Sequence, residues 1–246
     1  MPIKHAKTIS KPDTTDASKA QPSDWNAPHS GDLPLDVVPS SPSAWDDEFP
    51  GSSLDTNKWT NPLTSAAGQT NALVVANDWV TFEPATAGSG STGKRVFGIR
   101  QNGPTGDFTL MAKIQDGRSG DDARVGIFVA KTGGKAYVLG SQRSSGRLAN
   151  FNGITTYSES ADWSAYDGVL DLNVAPAWPG NIWFKLNFAS GTLTAYYSGG
   201  GVFWTLLGSQ GSVTQPDRIG LCMWANNSDV LADHGLGCDW LRVTVP

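Results

Sequence analysis

Ile182-Trp-Phe-Lys-Leu-Asn-Phe188, Ala189-Ser-Gly191, Thr192-Leu-Thr-Ala-Tyr-Tyr-Ser198, Gly199-Gly-Gly201 and Val202-Phe-Trp-Thr-Leu-Leu207 follow one another without a break. This stretch decides the fold. Its first run alternates, placing Phe184, Leu186 and Phe188 on one face, and a period of two marks a half-buried strand. Glycine supplies the positive φ that tight turns need, so the stretch reads as three antiparallel strands in a meander. Working outward, Asp107–Ile114 sets Phe108, Leu110, Ala112 and Ile114 against Thr109 and Lys113. Arg124–Ala130 is a more continuous apolar run. Further strands are predicted at 73–83, 136–141, 148–151, 169–174, 218–225 and 238–245. Helical periodicity is absent, so the predicted class is all-β: a two-sheet antiparallel jelly-roll sandwich with an extended Pro-rich N-terminal arm.

The chain divides at residue 44. Residues 1–44 hold seven of the fifteen prolines and a single aromatic, Trp25. So little apolar surface cannot offset the entropy of ordering a chain, so this arm is expected to order only against a partner. Residues 45–246 form the predicted sandwich. Over the whole chain the net charge is −5, which excludes nucleic acid as a partner, since phosphate binding needs clustered Lys and Arg. No apolar run of about eighteen residues predicts a membrane span, and Met1–Lys7 lacks the apolar core of a signal peptide. The chain is therefore expected to be made in a cytoplasm. Cys222 and Cys238 read as two buried thiols, with a single bridge as the alternative.

Chemistry-bearing motifs are sparse. The chain has three glutamates, Glu48, Glu83 and Glu159, none two or four residues from another. Asp46 and Glu48 share a strand parity but read as solvated charges at the domain entrance. His5, His29 and His234 show no metal-ligand spacing, so no metal and no cofactor are predicted. Gly88-Ser-Gly-Ser-Thr-Gly-Lys94 imitates a phosphate loop, but Arg95 stands where Ser or Thr would hold magnesium. Two clusters mix aromatics with hydrogen-bonding groups, as sugar sites do. One is Asp162-Trp163-Ser-Ala-Tyr166-Asp167; the other is Trp224-Ala-Asn226-Asn227-Ser-Asp229 with His234. Packing is the competing role for each of these aromatics.

Several phrases resemble the concanavalin A-like lectin/glucanase superfamily, especially its laminin-G-like branches. They are Trp45-Asp-Asp-Glu-Phe-Pro-Gly-Ser-Ser-Leu-Asp-Thr-Asn-Lys-Trp59, Gly106–Leu110, Trp183–Leu186, Gly191–Tyr197 and Cys238-Asp-Trp-Leu-Arg-Val243. The resemblance covers residues 45–246 and implies that the first and last strands lie side by side. It does not bring the paired-glutamate strand of the family's glycosidases, so the chain is expected not to be an enzyme. The arm, with Met1-Pro-Ile-Lys-His-Ala-Lys7 and Gln21–His29, resembles the opening of tailed-bacteriophage tail and virion proteins. Pro28 departs from that pattern just before the histidine. This second resemblance implies a virion structural protein, assembled in the host cytoplasm and homo-oligomeric, with a trimer as one option. Pro22, Asp24, Trp25, Asn26 and His29 would anchor the arm to another virion subunit. The sandwich would then attach to host-surface glycan through Trp163, Tyr166, Trp224, Asn226, Asn227, Asp229 and His234. Capsid decoration and glycan hydrolysis are the alternatives.

Overall fold

The computed structural model describes residues 43–64, 71–84, 95–116, 123–144, 147–158, 166–169, 181–225 and 236–246. Fourteen strands run through them: β1 (Thr60–Thr64), β2 (Asn71–Ala76), β3 (Trp79–Pro84), β4 (Arg95–Asn102), β5 (Phe108–Asp116), β6 (Ala123–Ala130) and β7 (Lys135–Ser144). The remainder are β8 (Arg147–Ser158), β9 (Tyr166–Val169), β10 (Asn181–Ala189), β11 (Thr192–Ser198), β12 (Thr205–Gln210), β13 (Arg218–Ala225) and β14 (Leu236–Thr244). No helix occurs among the described residues. The strands form two antiparallel sheets of seven. Sheet one has the order β1-β4-β13-β6-β7-β8-β9, and sheet two the order β12-β11-β10-β5-β14-β3-β2.

The deciding stretch folds as its alternation predicts. Ile182, Phe184, Leu186 and Phe188 are buried, as are Phe108, Leu110, Ala112 and Ile114 on the paired strand β5. Ser190 and Gly191, both at positive φ, turn β10 into β11. The third strand begins later than predicted. Val202–Trp204 stay outside it, and β12 covers Thr205–Gln210. Residues 73–83, predicted as one strand, are a hairpin. Asn77 and Asp78 take φ of 54° and 61°, the two left-handed positions of a tight turn whose twist suits paired strands.

The sandwich core forms where the inner faces meet. Phe97, Ile99, Val125, Ile127, Ile219, Leu221 and Met223 come from sheet one, and Val80, Phe82, Leu241 and Val243 from sheet two. Across the layers, the rings of Phe82 and Phe97 meet edge to face at 5.3 Å. Both cysteines are free and buried, Cys222 in sheet one and Cys238 in sheet two. Burial raises both thiol pKa values well above normal, which leaves them protonated and poorly nucleophilic at neutral pH.

Sheet one has a second buried cluster on the opposite side from the core, formed by Phe128, Ala130, Ala136, Val138 and Cys222. Beside it lies a row with almost no side chains. Gly98 pairs with Cys222, Cys222 with Gly126, and Gly126 with Gly140. A Cβ at Gly98 would lie 2.2 Å from the Leu221 carbonyl oxygen, and one at Gly126 would lie 2.0 Å from that of Leu139. Neighbouring backbone thus approaches too closely for any other residue, as happens where a sheet bends. Gly126→Ala is expected to destabilise the fold by about 3 kcal/mol, because the obstruction is backbone that cannot swing aside. Thermal unfolding measures this, and a Tm unchanged from wild type would refute the close approach.

Candidate functional site

One place in the described structure is a polar cleft, and a second is a cross-strand row of polar positions. The first is a cleft of about 450 Å³ bordered by Asp46, Asp47, Glu48, Phe49, Asp55 and Lys58. The predicted solvated entrance charges are in fact buried: Asp46 is 7% exposed and Asp47 8%. Asp46 accepts hydrogen bonds from the Ser43 amide (2.9 Å) and hydroxyl (2.6 Å) and from the Val243 amide (2.7 Å). Asp47 accepts from the Phe49 amide (2.7 Å) and the Trp59 indole N–H (2.6 Å). Lys58 Nζ, 3.8 Å from Asp47 Oδ2, also donates to the Asp46 carbonyl. The side chain of Glu48 is more than half exposed and pairs with Arg242. The sequence suggested a strand here beside 238–245, and the adjacency is found. It is a single bridge between Asp47 and Leu241, with both N–H···O bonds at 2.9 Å.

Every carboxylate oxygen of Asp46 and Asp47 is thus committed to the fold, and neither is placed to move a proton for a substrate. Removing Asp47 would strand a buried amide and a buried indole N–H, so Asp47→Ala is expected to cost about 2–4 kcal/mol. Chemical denaturation checks it, and a midpoint shift worth under 1 kcal/mol would count against this role.

The second place is the outer side of sheet one, toward the end where β13 finishes and β6 begins. There Trp224 pairs with Val96 and Arg124, Arg124 with Gln142, and Gln142 with Asn150. This cross-strand row of one valine, one tryptophan, one arginine and two amide residues lies next to the glycine row. The strand parity that buries Ile219, Leu221 and Met223 in the core places these backbone positions on the other face. The glycine row itself is closed to solvent, with Cys222 at its centre 0% exposed, so only the end of the sheet beyond it is a candidate ligand surface. Of the predicted glycan residues, Trp224 belongs to this row. Tyr166 opens β9, which joins the sheet through β8. The β8–β9 connection starts from Ser158, at the Lys135 end, whereas the β13–β14 connection starts from Ala225, at the Ala123 end. Tyr166 and Trp224 therefore lie toward opposite ends of the sheet. Trp163, Asn226, Asn227, Asp229 and His234 lie outside the described residues, as do the proposed anchors Pro22, Asp24, Trp25, Asn26 and His29.

The strands of sheet one contain one carboxylate, Asp167 of β9. Other carboxylates stand beside these strands in the sequence. Asp121 and Asp122 immediately precede β6, and Asp229 and Asp233 follow β13, its hydrogen-bonded neighbour. The described residues contain no cluster of three or more His, Cys, Asp or Glu able to hold a metal.

No family model matches the chain, and no curated protein does. Solved structures do match. An endo-acting O-glycanase of the human gut microbiota shares 12% identity over 82% of this chain and 98% of its own, with a TM-score of 0.57. A β-1,3-glucanase from Mycobacterium marinum gives 14% identity, 83% and 100% coverage and a TM-score of 0.53. A GH43 protein from Bacillus licheniformis gives 13% identity and a TM-score of 0.54 over 82% of this chain; the chain spans only 39% of that protein. The fold is the glucanase-type β-sandwich that these structures share. That bears out the first resemblance as to fold; nothing in the comparisons supports the phage tail arm or the virion role. The expectation of a non-enzyme is overturned, because the structures sharing this fold are repeatedly glycoside hydrolases.

Proposed function

We propose that the chain is a glycan-degrading β-sandwich protein whose substrate binds at the Trp224 end of sheet one. The observation that carries this reading is the register that sets Trp224, Arg124, Gln142 and Asn150 in one row across four strands, on the side of the sheet away from the core. An aromatic gives a sugar ring a face to stack on, and amides and guanidinium discriminate its hydroxyls. Hydrolysis of a glycosidic bond needs one carboxyl to protonate the leaving oxygen. A second acts as nucleophile at about 5 Å from the first, or as base for a water at roughly 6.5–9.5 Å. Asp121 and Asp122, which precede β6 in the sequence, and Asp229 and Asp233, which follow β13, are the candidates for the pair. The fold likeness to an O-glycanase and to glucanases supports a polysaccharide or glycan chain as substrate.

Reducing-end release is the direct test, with β-1,3-glucan, xylan, galactan and mucin O-glycans offered in parallel. One substrate is expected to be cut. Asn replacements at the four aspartates, made singly, should include two that lower kcat by about 100-fold or more. Trp224→Ala should raise KM more than it lowers kcat, because stacking binds ground and transition states alike. Release from none of the substrates, or full activity in all four aspartate variants, would end this reading.

A further inference from the structure

The outer face of sheet two carries a different surface. Leu206, Tyr196, Lys185 and Met111 form a cross-strand row over β12, β11, β10 and β5. The Lys185 ammonium stands 4.4 Å from the ring centre of Tyr196 and 4.3 Å from that of Trp204. The local fold sets this arrangement. Ser198 Oγ accepts hydrogen bonds from the amides of Gly200 (3.3 Å) and Gly201 (2.9 Å), fixing the turn after β11. Gly201, at φ +75°, lies against the indole of Trp183, where a Cβ would come within 3.0 Å of Nε1. The turn so held delivers Trp204 over Lys185 and leaves Phe203 88% exposed.

The cations of this face differ in their partners. Lys113 is paired with Asp239, and Arg242 with Glu48. Lys185 has no carboxylate within ion-pair distance among the described residues. Partial burial lowers its pKa, so holding the charged form between two rings has a cost that an incoming anion would offset. Nucleic acid is a poor fit, because the chain is net negative at −5 and the patch offers one uncompensated cation. A ligand that sets an anionic group beside a sugar ring fits better.

We propose that Lys185, flanked by Tyr196 and Trp204, binds an acidic polysaccharide on the outer face of sheet two, away from the glycine row. The ammonium meets a carboxylate or sulfate ester, and the aromatic side chains take the adjoining sugar rings. The inference rests on the carbohydrate reading above and adds a second, charge-selective site to it.

Affinity electrophoresis of the full chain tests it in gels containing polygalacturonate, dextran sulfate, neutral xylan or single-stranded DNA. Retardation by polygalacturonate or dextran sulfate is expected, and which of the two retards more tells a carboxylate ligand from a sulfate. Lys185→Gln should weaken that retardation by about tenfold, the loss expected for one charge-assisted hydrogen bond. Lys185→Arg should largely preserve it, and added salt should reduce it in the wild type. Retention in xylan is expected to be the same for wild type and Lys185→Gln. Equal mobility of the wild type in acidic-polysaccharide and blank gels would overturn the proposal. So would undiminished retention of Lys185→Gln, or stronger retention by DNA than by either acidic polysaccharide. Because these gels read binding alone, failure of the hydrolase reading shows separately, as absent sugar release.

Discussion

The constraint on which the remaining structure leans is the double use of two adjacent carboxylates at the start of the sandwich. Asp46 takes an amide from β14 in sheet two, while Asp47 takes the indole N–H of Trp59, whose next residue opens β1 in sheet one. The chain thus enters the fold by binding one layer and then turning into the other. Phe49 and Trp59, each 2% exposed and 5.7 Å apart between ring centres, fill the space beneath. Two charges are buried to achieve this, which is tolerable because each oxygen has a donor and Lys58 supplies a nearby positive charge. Such a fastening adds directional contacts to hydrophobic burial, which is itself non-directional.

With the layers fixed, each sheet presents an outer face of distinct chemistry. On sheet one, glycines at 98, 126, 140 and 220 bring backbones close, and the ring of Phe128 lies against Gly220. The apolar cluster around Phe128 occupies one flank of the bare row, and the Trp224 row the other. On sheet two, lysines alternate with aromatics, and the long stems of Lys113 and Lys185 lie among Trp79, Trp183, Tyr196 and Trp204. Such stems cover aromatic surface while keeping the ammonium at its edge. An exposed sheet face rich in tryptophan would otherwise be prone to association, so the cations also keep it wet.

How much of this was legible in the sequence depends on the range of the interaction. Strands whose inner residues alternate cleanly, such as β5 and β10, were legible, because period-two burial is written locally. The β10–β11 turn was legible through Gly191. The β2–β3 turn was not, because Asn77-Asp78 reaches the same left-handed backbone without a glycine. Strands β1 and β4 were missed. In β4, Gly98, Arg100 and Gln101 interrupt the apolar run, and Gln101 is buried because its amide reaches the Trp45 carbonyl at 2.8 Å. That partner lies 56 residues away, beyond any local pattern.

The site shows the same limit more sharply. Trp224 was legible from residue type and from the polar segment after it. Arg124, Gln142 and Asn150 were not, since nothing about each alone marks it, and only the register of four strands sets them in one row. A one-residue slip in any of these strands would turn the row over to the core side, where a guanidinium could not be accommodated. The glycines guard against such a slip. At Gly126 only a residue without Cβ fits beside the Leu139 carbonyl, and a slip would bring Val125 or Ile127 to that position. The close backbone contacts that shape the bare row thus also fix the register that assembles its neighbours, so architecture and recognition depend on the same residues.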